Sequence, residues 1–437
     1  MARAFFLALC VLLLAACSSS PARPLDAGNA GGMIVVVVDN PAGSTAVAHA
    51  GSTPQGYDSA PSYNVSDSAR SAISTLAQKY GLEPVRSWAI SQLKVYCVVF
   101  ALHQPAQRGT VLAAMAQDPL VKSAQPLQSF QTLSAPADAL PAAGSQHSDA
   151  RYNDPYVDMQ GGFAAINAGD AQQWTRGEGI RVAVIDTGLD ASHPDLRGRI
   201  SSQRNFVDSD SAQFQRDRHG TEVAGIIAAN ANNHEGIVGI APGVKIIALK
   251  ACWQPAQKNT SAECNSFTLA EALSAALDAR AQVINLSLGG PADPLLAQLV
   301  HYALDHGVIV VGAVPPSGQL DGFPVGIDGV LAVDIGSRAT GAVLPAPGRD
   351  VLTLTPGGHY DFASGSSLAT AHVSGAAALL LSLNARLSAG AVGNALRNSV
   401  HRGGDGVAYI NLCLAVASVH PGSSCRSDGS SGQLAVH

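Results

Sequence analysis

Three polar residues stand where the sequence changes its period. The stretch RVAVIDTG runs a β-branched apolar segment into Asp186, and DRHGTEVAGIIAA opens a small-residue helix at His219. ASGSSLATAHVSGAAALLL, from Ala363 to Leu381, opens a long apolar helix at Ser366 and Ser367. A serine at such a point ordinarily caps the helix by accepting a bond from a free backbone N–H. A serine, an imidazole and a carboxylate gathered in one place can do more. The hydroxyl attacks a carbonyl, the imidazole takes its proton, and the carboxylate fixes the tautomer and stabilises the imidazolium. That chemistry is acyl transfer, and it requires three segments far apart in the chain to meet.

The elements around these residues supply the meeting place. From Gly179 onward, continuous apolar strands (IRVAVI, VKIIALK, AQVINLSL, GVIVVGAV, GVLAVDI) alternate with helical segments beginning near His219, Thr268 and Pro294. Strands apolar at every position, alternating with helices, predict an α/β fold: a doubly wound parallel sheet with helices on both faces. Sites in such sheets form outside the carboxyl ends of the strands, where helices begin. Asp186, His219 and Ser367 are therefore expected at one edge.

Upstream, residues 33–132 read as a small α+β domain. MIVVVVDN is a strand, SDSARSAISTLAQKYGL a capped helix, VRSWAIS and LKVYCVVFAL a hairpin, RGTVLAAMAQDP a second helix and VKSAQPLQSFQTL a last strand. The order β-α-β-β-α-β is the ferredoxin-like pattern. Residues 133–152, rich in Pro, Ala and Ser, are expected to be a linker, 153–420 the larger domain, and 421–437 a polar tail.

Of the 437 residues only 13% are charged, the net charge is −6, and no basic run occurs, which argues against a nucleic-acid partner. MARAFFLALCVLLLAACSSS joins one early arginine to an apolar run too short to span a bilayer, so residues 1–16 read as a secretory signal. Leu14-Ala15-Ala16-Cys17 resembles the bacterial lipobox. That resemblance implies lipidation of Cys17 and an anchor in the cell envelope, at the outer membrane since Ser18 follows, with residues 17–32 as a tether. In that oxidising setting Cys252 with Cys264, and Cys413 with Cys425, read as disulfides, each closing a short loop worth about 3 kcal/mol in the chain-entropy model. Cys97, alone in an apolar strand, reads as a buried thiol.

VAVIDTGLDASHPDL, HGTEVAGIIAA, VINLSLGG and GSSLATAHVSG, in that order, resemble the subtilisin-like serine peptidase family over roughly residues 153–415. Its chain order is Asp, His, Ser. The resemblance implies a triad of Asp186, His219 and Ser367, with Ser366 in support where the family usually has threonine. It implies that Ser287, Leu288 and Gly289 form the edge that pairs with a polypeptide substrate. It also implies that the small domain is a propeptide, a folding aid and intramolecular inhibitor whose cleavage would release the catalytic part from its lipid. Two other readings fail on the residues. An aspartic peptidase built on DTG needs an all-β chain, and Ala369 breaks the G-x-S-x-G of an α/β-hydrolase.

One departure from the family bears on rate. The oxyanion-binding asparagine follows the fifth strand in the family; here GVIVVGAVPPSGQ puts Pro315-Pro316 in the places of glycine and asparagine. Proline has no donor, so Ser317 or Gln319 would have to replace it. No cofactor is expected. NANNHEGIVG resembles a family calcium loop, with Asn233 and Asp195 as oxygen ligands, against a plain solvated loop. The expectation is a serine endopeptidase, slowed at Pro316; the alternative is a catalytically degenerate peptide-binding protein of the envelope.

Overall fold

The computed structural model describes residues 30–41, 64–136, 151–208, 210–255, 261–336, 341–402, 406–423 and 425. The signal segment, Cys17, most of the tether, residues 137–150 of the expected linker and nearly all of the tail lie outside these.

β1 (Met33–Asp39) is buried at every position from Met33 to Val38. A strand apolar at both parities must be covered on both faces. Ile34, Val36 and Val38 pack with Leu76 and Met115 of the helices Asp67–Tyr80 and Arg108–Met115. Met33, Val35 and Val37 face the other way, into a core shared with Phe267, Leu295 and Leu296 of the larger domain. β2 (Leu82–Ile90), β3 (Val95–Leu102) and β4 (Ser123–Pro126) complete an antiparallel sheet of order β2-β3-β1-β4, which is the ferredoxin-like arrangement. Ser66 caps the first helix by accepting from the Ala69 N–H at 3.1 Å. Cys97 is a buried free thiol, and burial pushes its pKa up.

The stretch VKSAQPLQSFQTL, expected as one strand, is two. Pro126 has no N–H and ends β4. The chain then crosses to the larger domain, where the Gln128 N–H donates to Ser266 Oγ at 2.9 Å and the Ser266 N–H to Gln128 O at 3.1 Å. β5 (Ser129–Thr132) and β6 (Ser134–Pro136) continue in extended form through the start of the expected linker. Local composition marks residue 133 onward as strand-breaking, but a partner strand far away in sequence holds it extended.

In the larger domain the strands are β7 (Arg181–Asp186), β8 (Ile200–Asn205), β9 (Lys245–Lys250), β10 (Cys252–Trp253), β11 (Glu263–Asn265) and β12 (Val283–Leu286). There follow β13 (Leu288–Gly289), β14 (Ile309–Ala313), β15 (Leu331–Ile335), β16 (Leu344–Ala346), β17 (Val351–Thr355) and β18 (His359–Gly365). Seven of them form a parallel sheet of order β16-β15-β14-β12-β7-β9-β8. Val182, Val184, Ile246 and Ala248 point to the helices Arg218–Ala228 and Ser366–Leu383. Ala183, Ile185, Ile247 and Leu249 point to the helices Ser266–Asp278 and Pro294–Asp305 on the opposite face. Both parities are buried, so the strands read as unbroken apolar runs. Every residue from Ser366 to Leu381 is buried, which makes the longest of the described helices the centre of one layer.

Candidate active site

β7 ends at Asp186, which is fully buried. Its Oδ1 accepts from the Thr187 N–H and from His219 Nδ1, both at 2.6 Å. His219 is the second residue of its helix, and the residue before that helix, Asp217, ties it to the Asp186 loop. Asp217 accepts from the Gly188 N–H at 3.0 Å and forms a buried ion pair with Lys250, which lies opposite Asp186 in the sheet. The approach is close: a Cβ on Gly220 would fall 2.4 Å from the Gly188 carbonyl oxygen. Burial alone would lower the His219 pKa, but the Asp186 carboxylate overcomes this and holds the imidazole above its usual value. Glu222, one turn on and bonded to Arg218 at 2.6 Å, adds to the same pull.

Ser367 is the second residue of its helix, so its N–H has no partner within that helix. Ser366 Oγ donates to Val314 O at 2.7 Å, which fastens the helix start to the end of β14. Ser287 follows β12, and β12 pairs with β7 through Asn285 and Val184, so Ser287 and Asp186 extend equally far past the ladder. Ser287 Oγ donates to Ser367 O at 3.0 Å and Ser367 Oγ to Ser287 O at 2.9 Å. Asp186 and His219 are thus in contact, and Ser367 is anchored beside the next strand at the same edge. His219 Nε2 and Asp186 Oδ2 are buried without a hydrogen-bond partner among the described residues.

The chain's own residues 129–136 run through this edge. β5 lies between two strands, pairing Thr132 with Leu288 and Gln131 with Gly289 on one side, and Gln131 with Glu263 and Phe130 with Cys264 on the other. Leu133 then reaches the serine. Its N–H donates to Ser367 Oγ at 3.0 Å and to Ser287 O at 3.3 Å, and its carbonyl oxygen accepts from the Ser367 N–H at 3.4 Å. β6 pairs onward with β18, Ser134 opposite Gly365. The Leu133–Ser134 peptide bond is therefore laid across Ser367.

Ser287, Leu288 and Gly289, anticipated as the pairing edge, are one wall of this groove. The other wall, β11, was not anticipated, and nothing periodic in ECN announces it. Phe130 packs edge-on to Phe323 with ring centroids 5.4 Å apart, and a Cβ on Gly290 would fall 2.4 Å from the Phe130 ring. Leu133 borders a cleft of about 750 Å³ whose far side includes Pro315, Pro316, Ser317 and Gln319. Among the described residues the Ser367 N–H is the one hydrogen-bond donor to the Leu133 carbonyl oxygen. The two prolines sit in a turn closed by the Gly318 N–H on Pro315 O at 2.8 Å.

The proposed calcium ligands bond to each other instead. Asp195 Oδ1 accepts from Asn233 Nδ2 at 2.9 Å, and Oδ2 accepts from the Ile237 N–H at 3.0 Å and the Tyr360 hydroxyl at 3.2 Å. Calcium requires oxygens turned to the ion, and this donor-filled carboxylate does not offer that set. Cys252 is joined to Cys264, and Cys413 to Cys425.

A sequence profile of the subtilase family matches residues 177–333 and 336–411. Among curated relatives, a thermophilic serine proteinase of Bacillus sp. (strain AK1) is 34% identical over 284 residues, 62% of this chain and 66% of that protein. Thermitase of Thermoactinomyces vulgaris is 37% identical over 243 residues, 53% of this chain and 85% of that protein. Subtilisin DY of Bacillus licheniformis is 36% identical over 265 residues, 57% and 93% of the two chains. Fervidolysin from Fervidobacterium pennivorans superposes with a TM-score of 0.68 at 22% identity, over 88% of this chain and 60% of that one, a likeness of fold. The chain thus spans less than two thirds of either, 66% of the thermophilic proteinase and 60% of fervidolysin.

Proposed function

The chain belongs to the subtilase family, and from that premise we propose that it is a serine endopeptidase whose first substrate is its own Leu133–Ser134 bond. The observation that carries this reading is the seating of Leu133, with its carbonyl oxygen on the Ser367 N–H and its own N–H on Ser367 Oγ and Ser287 O. Reaction needs the Ser367 hydroxyl to turn from Ser287 O to His219 Nε2, which is free to receive it. Ser367 Oγ then bonds to the Leu133 carbonyl carbon as its proton passes to His219. Asp186 stabilises the imidazolium, and the oxyanion on Leu133 O rests on the Ser367 N–H at the positive end of an 18-residue helix. The C–N bond breaks as His219 gives the proton to the Ser134 nitrogen. Water, deprotonated by the same imidazole, then adds to the acyl carbon; the Ser367 Oγ–C bond breaks, His219 returns the proton to Oγ, and Leu133 leaves as a carboxylate.

After the cut, residues 33–133 act as an inhibitor for as long as β5 stays in the groove. The groove favours extended peptides with leucine before the cut and an aromatic residue three positions earlier, the places of Leu133 and Phe130. If Cys17 carries lipid in the envelope, the cut separates anchor from enzyme, and the active form is the soluble fragment. The test is to express the full chain, label it with a fluorophosphonate and sequence the labelled product. Its N-terminus is expected at Ser134, in the soluble fraction. A membrane-bound, full-length chain that cleaves peptides briskly overturns the proposal. One observation favours a peptide-binding protein without efficient turnover, the single donor at the Leu133 oxygen; absence of labelling would select it.

Release of the small domain should depend on pH. It covers one stripe of the helix Ser266–Asp278: Trp88 meets Phe267 with ring centroids 4.7 Å apart, and Gln92 bonds to Ser274 at 2.8 Å and Asp278 at 2.7 Å. Glu271 lies on that stripe. Burial pushes its carboxyl up to about 7, against the pull of Arg204 and of Arg86 from the small domain, and burial also raises Asp278. The docked state therefore holds protons that the separated state gives up. Docking is tightest below the usual carboxylate range, weakens as pH rises towards 7, and levels off above it. Dissociation of the cleaved small domain, followed by size-exclusion chromatography, is expected to be faster at pH 8 than at pH 5. Glu271→Gln is expected to remove most of that difference.

A further inference from the structure

We propose that the Cys252–Cys264 disulfide positions the second wall of the substrate groove, so that it governs the reading of residues two to four before the cut and leaves the chemical step alone. The proposal rests on the endopeptidase reading above.

The two walls are held very differently. β13 follows Ser287, which is bonded twice to Ser367, so that wall is built into the catalytic edge. β11 has three residues, and its strand neighbours are β10 on one side and β5 on the other. β10 contributes only the pairs Cys252–Cys264 and Trp253–Glu263. β5 is the peptide itself, so β11 loses that neighbour whenever product leaves. A hairpin this short is marginal on its own hydrogen bonds.

The covalent link supplies what the ladder lacks. Cys252 follows Ala251, whose N–H donates to Asp186 O at 2.8 Å, so one end of the disulfide is fixed beside the catalytic carboxylate. The other end, Cys264, lies opposite Phe130, and both sulfurs belong to buried residues. Two positions earlier, Ala262 exchanges bonds with Thr132: the Thr132 N–H donates to Ala262 O at 3.0 Å, and the Ala262 N–H donates to Thr132 Oγ1 at 3.0 Å. Asn265 anchors the far end of β11 by capping the next helix. Opening the disulfide would therefore free the stretch that faces Phe130, Gln131 and Thr132. No contact with Leu133 or Ser367 depends on it.

The test uses the processed enzyme and two substrates, a Phe-Gln-Thr-Leu anilide and an acetyl-leucine ester, with rates per site titrated by fluorophosphonate. In Cys252→Ala/Cys264→Ala, kcat/KM for the anilide is expected to fall about tenfold or more, the cost of a few strand hydrogen bonds. The ester is expected to change less than about twofold. Cys413→Ala/Cys425→Ala, which removes the other disulfide, is expected to leave both substrates unchanged. If the first variant yields no titratable sites, the second serves as background for reduction by a trialkylphosphine. There the remaining S–S bond opens to two thiols, the phosphine becomes its oxide with oxygen from water, and the same split between substrates is expected. An anilide loss no larger than the ester loss overturns the proposal. A wild-type enzyme that neither labels nor cleaves the ester overturns the endopeptidase reading instead.

Discussion

Ser367→Ala is expected to leave the chain uncut and unlabelled by a fluorophosphonate, while Ser366→Ala keeps both the cut and the label. The two serines are neighbours, both buried, yet their hydroxyls have different work. Ser366 Oγ is spent on Val314 O, a bond whose loss costs on the order of 1 kcal/mol of stability. Ser367 Oγ lies between Ser287 O and the Leu133 N–H, next to the Leu133–Ser134 peptide bond. Removing the nucleophile of a triad costs about 2 × 10⁶ in kcat in subtilisin, enough to reduce self-cleavage from seconds to weeks. Gel mobility and intact mass of the two variants, taken with labelling, decide the matter. Label retained in Ser367→Ala, or lost in Ser366→Ala at normal folding, moves the nucleophile elsewhere.

The parts of the site that could be read from the sequence are those at a change of period. Asp186 ends an apolar strand, His219 and Ser367 open helices of small residues, and parallel sheets bring such junctions to one edge. β1 was legible as a strand, but that both its faces are covered, one of them by the larger domain, came from the fold. What stayed hidden depends on pairing across long separations. SFQTL alternates like any short strand, and nothing in it says that its partners lie near residues 263 and 288. The turn of the chain out of the small sheet at Pro126 had a local sign, a proline, but the destination of the next strand had none. The Asp217–Lys250 pair was hidden for a similar reason. A lysine at the end of an apolar strand ordinarily reaches solvent, and only the fold shows this one closed in with a carboxylate between Gly188 and the His219 helix. The bond between Asn233 and Asp195 is another contact that only the fold brings together. A loop whose composition suits a cation is closed by an amide, a backbone N–H and the Tyr360 hydroxyl.

Replacing Pro315-Pro316 with Gly-Asn is expected to raise kcat for amide hydrolysis by up to about 10²-fold, with a smaller change in KM. In the wild-type groove the Leu133 carbonyl oxygen takes one bond, from the Ser367 N–H at 3.4 Å, while the two prolines border the same cleft without a donor to give. The charge on that oxygen is small in the bound peptide and nearly full in the tetrahedral intermediate, so a second donor acts chiefly on the transition state and shows in kcat. The turn can accept the change because its closing bond, the Gly318 N–H on Pro315 O, uses a carbonyl that any residue at 315 supplies. Fluorophosphonate labelling gives the internal control. The wild-type protein is expected to label readily yet turn over amides well below the ~10 s⁻¹ of an ordinary enzyme, and the variant is expected to gain more on the amide than on labelling. If wild type already cleaves amides at an ordinary rate and the variant is slower, a donor supplied by Ser317 or Gln319 as the groove closes on substrate is already in place, and the prolines are there to hold it.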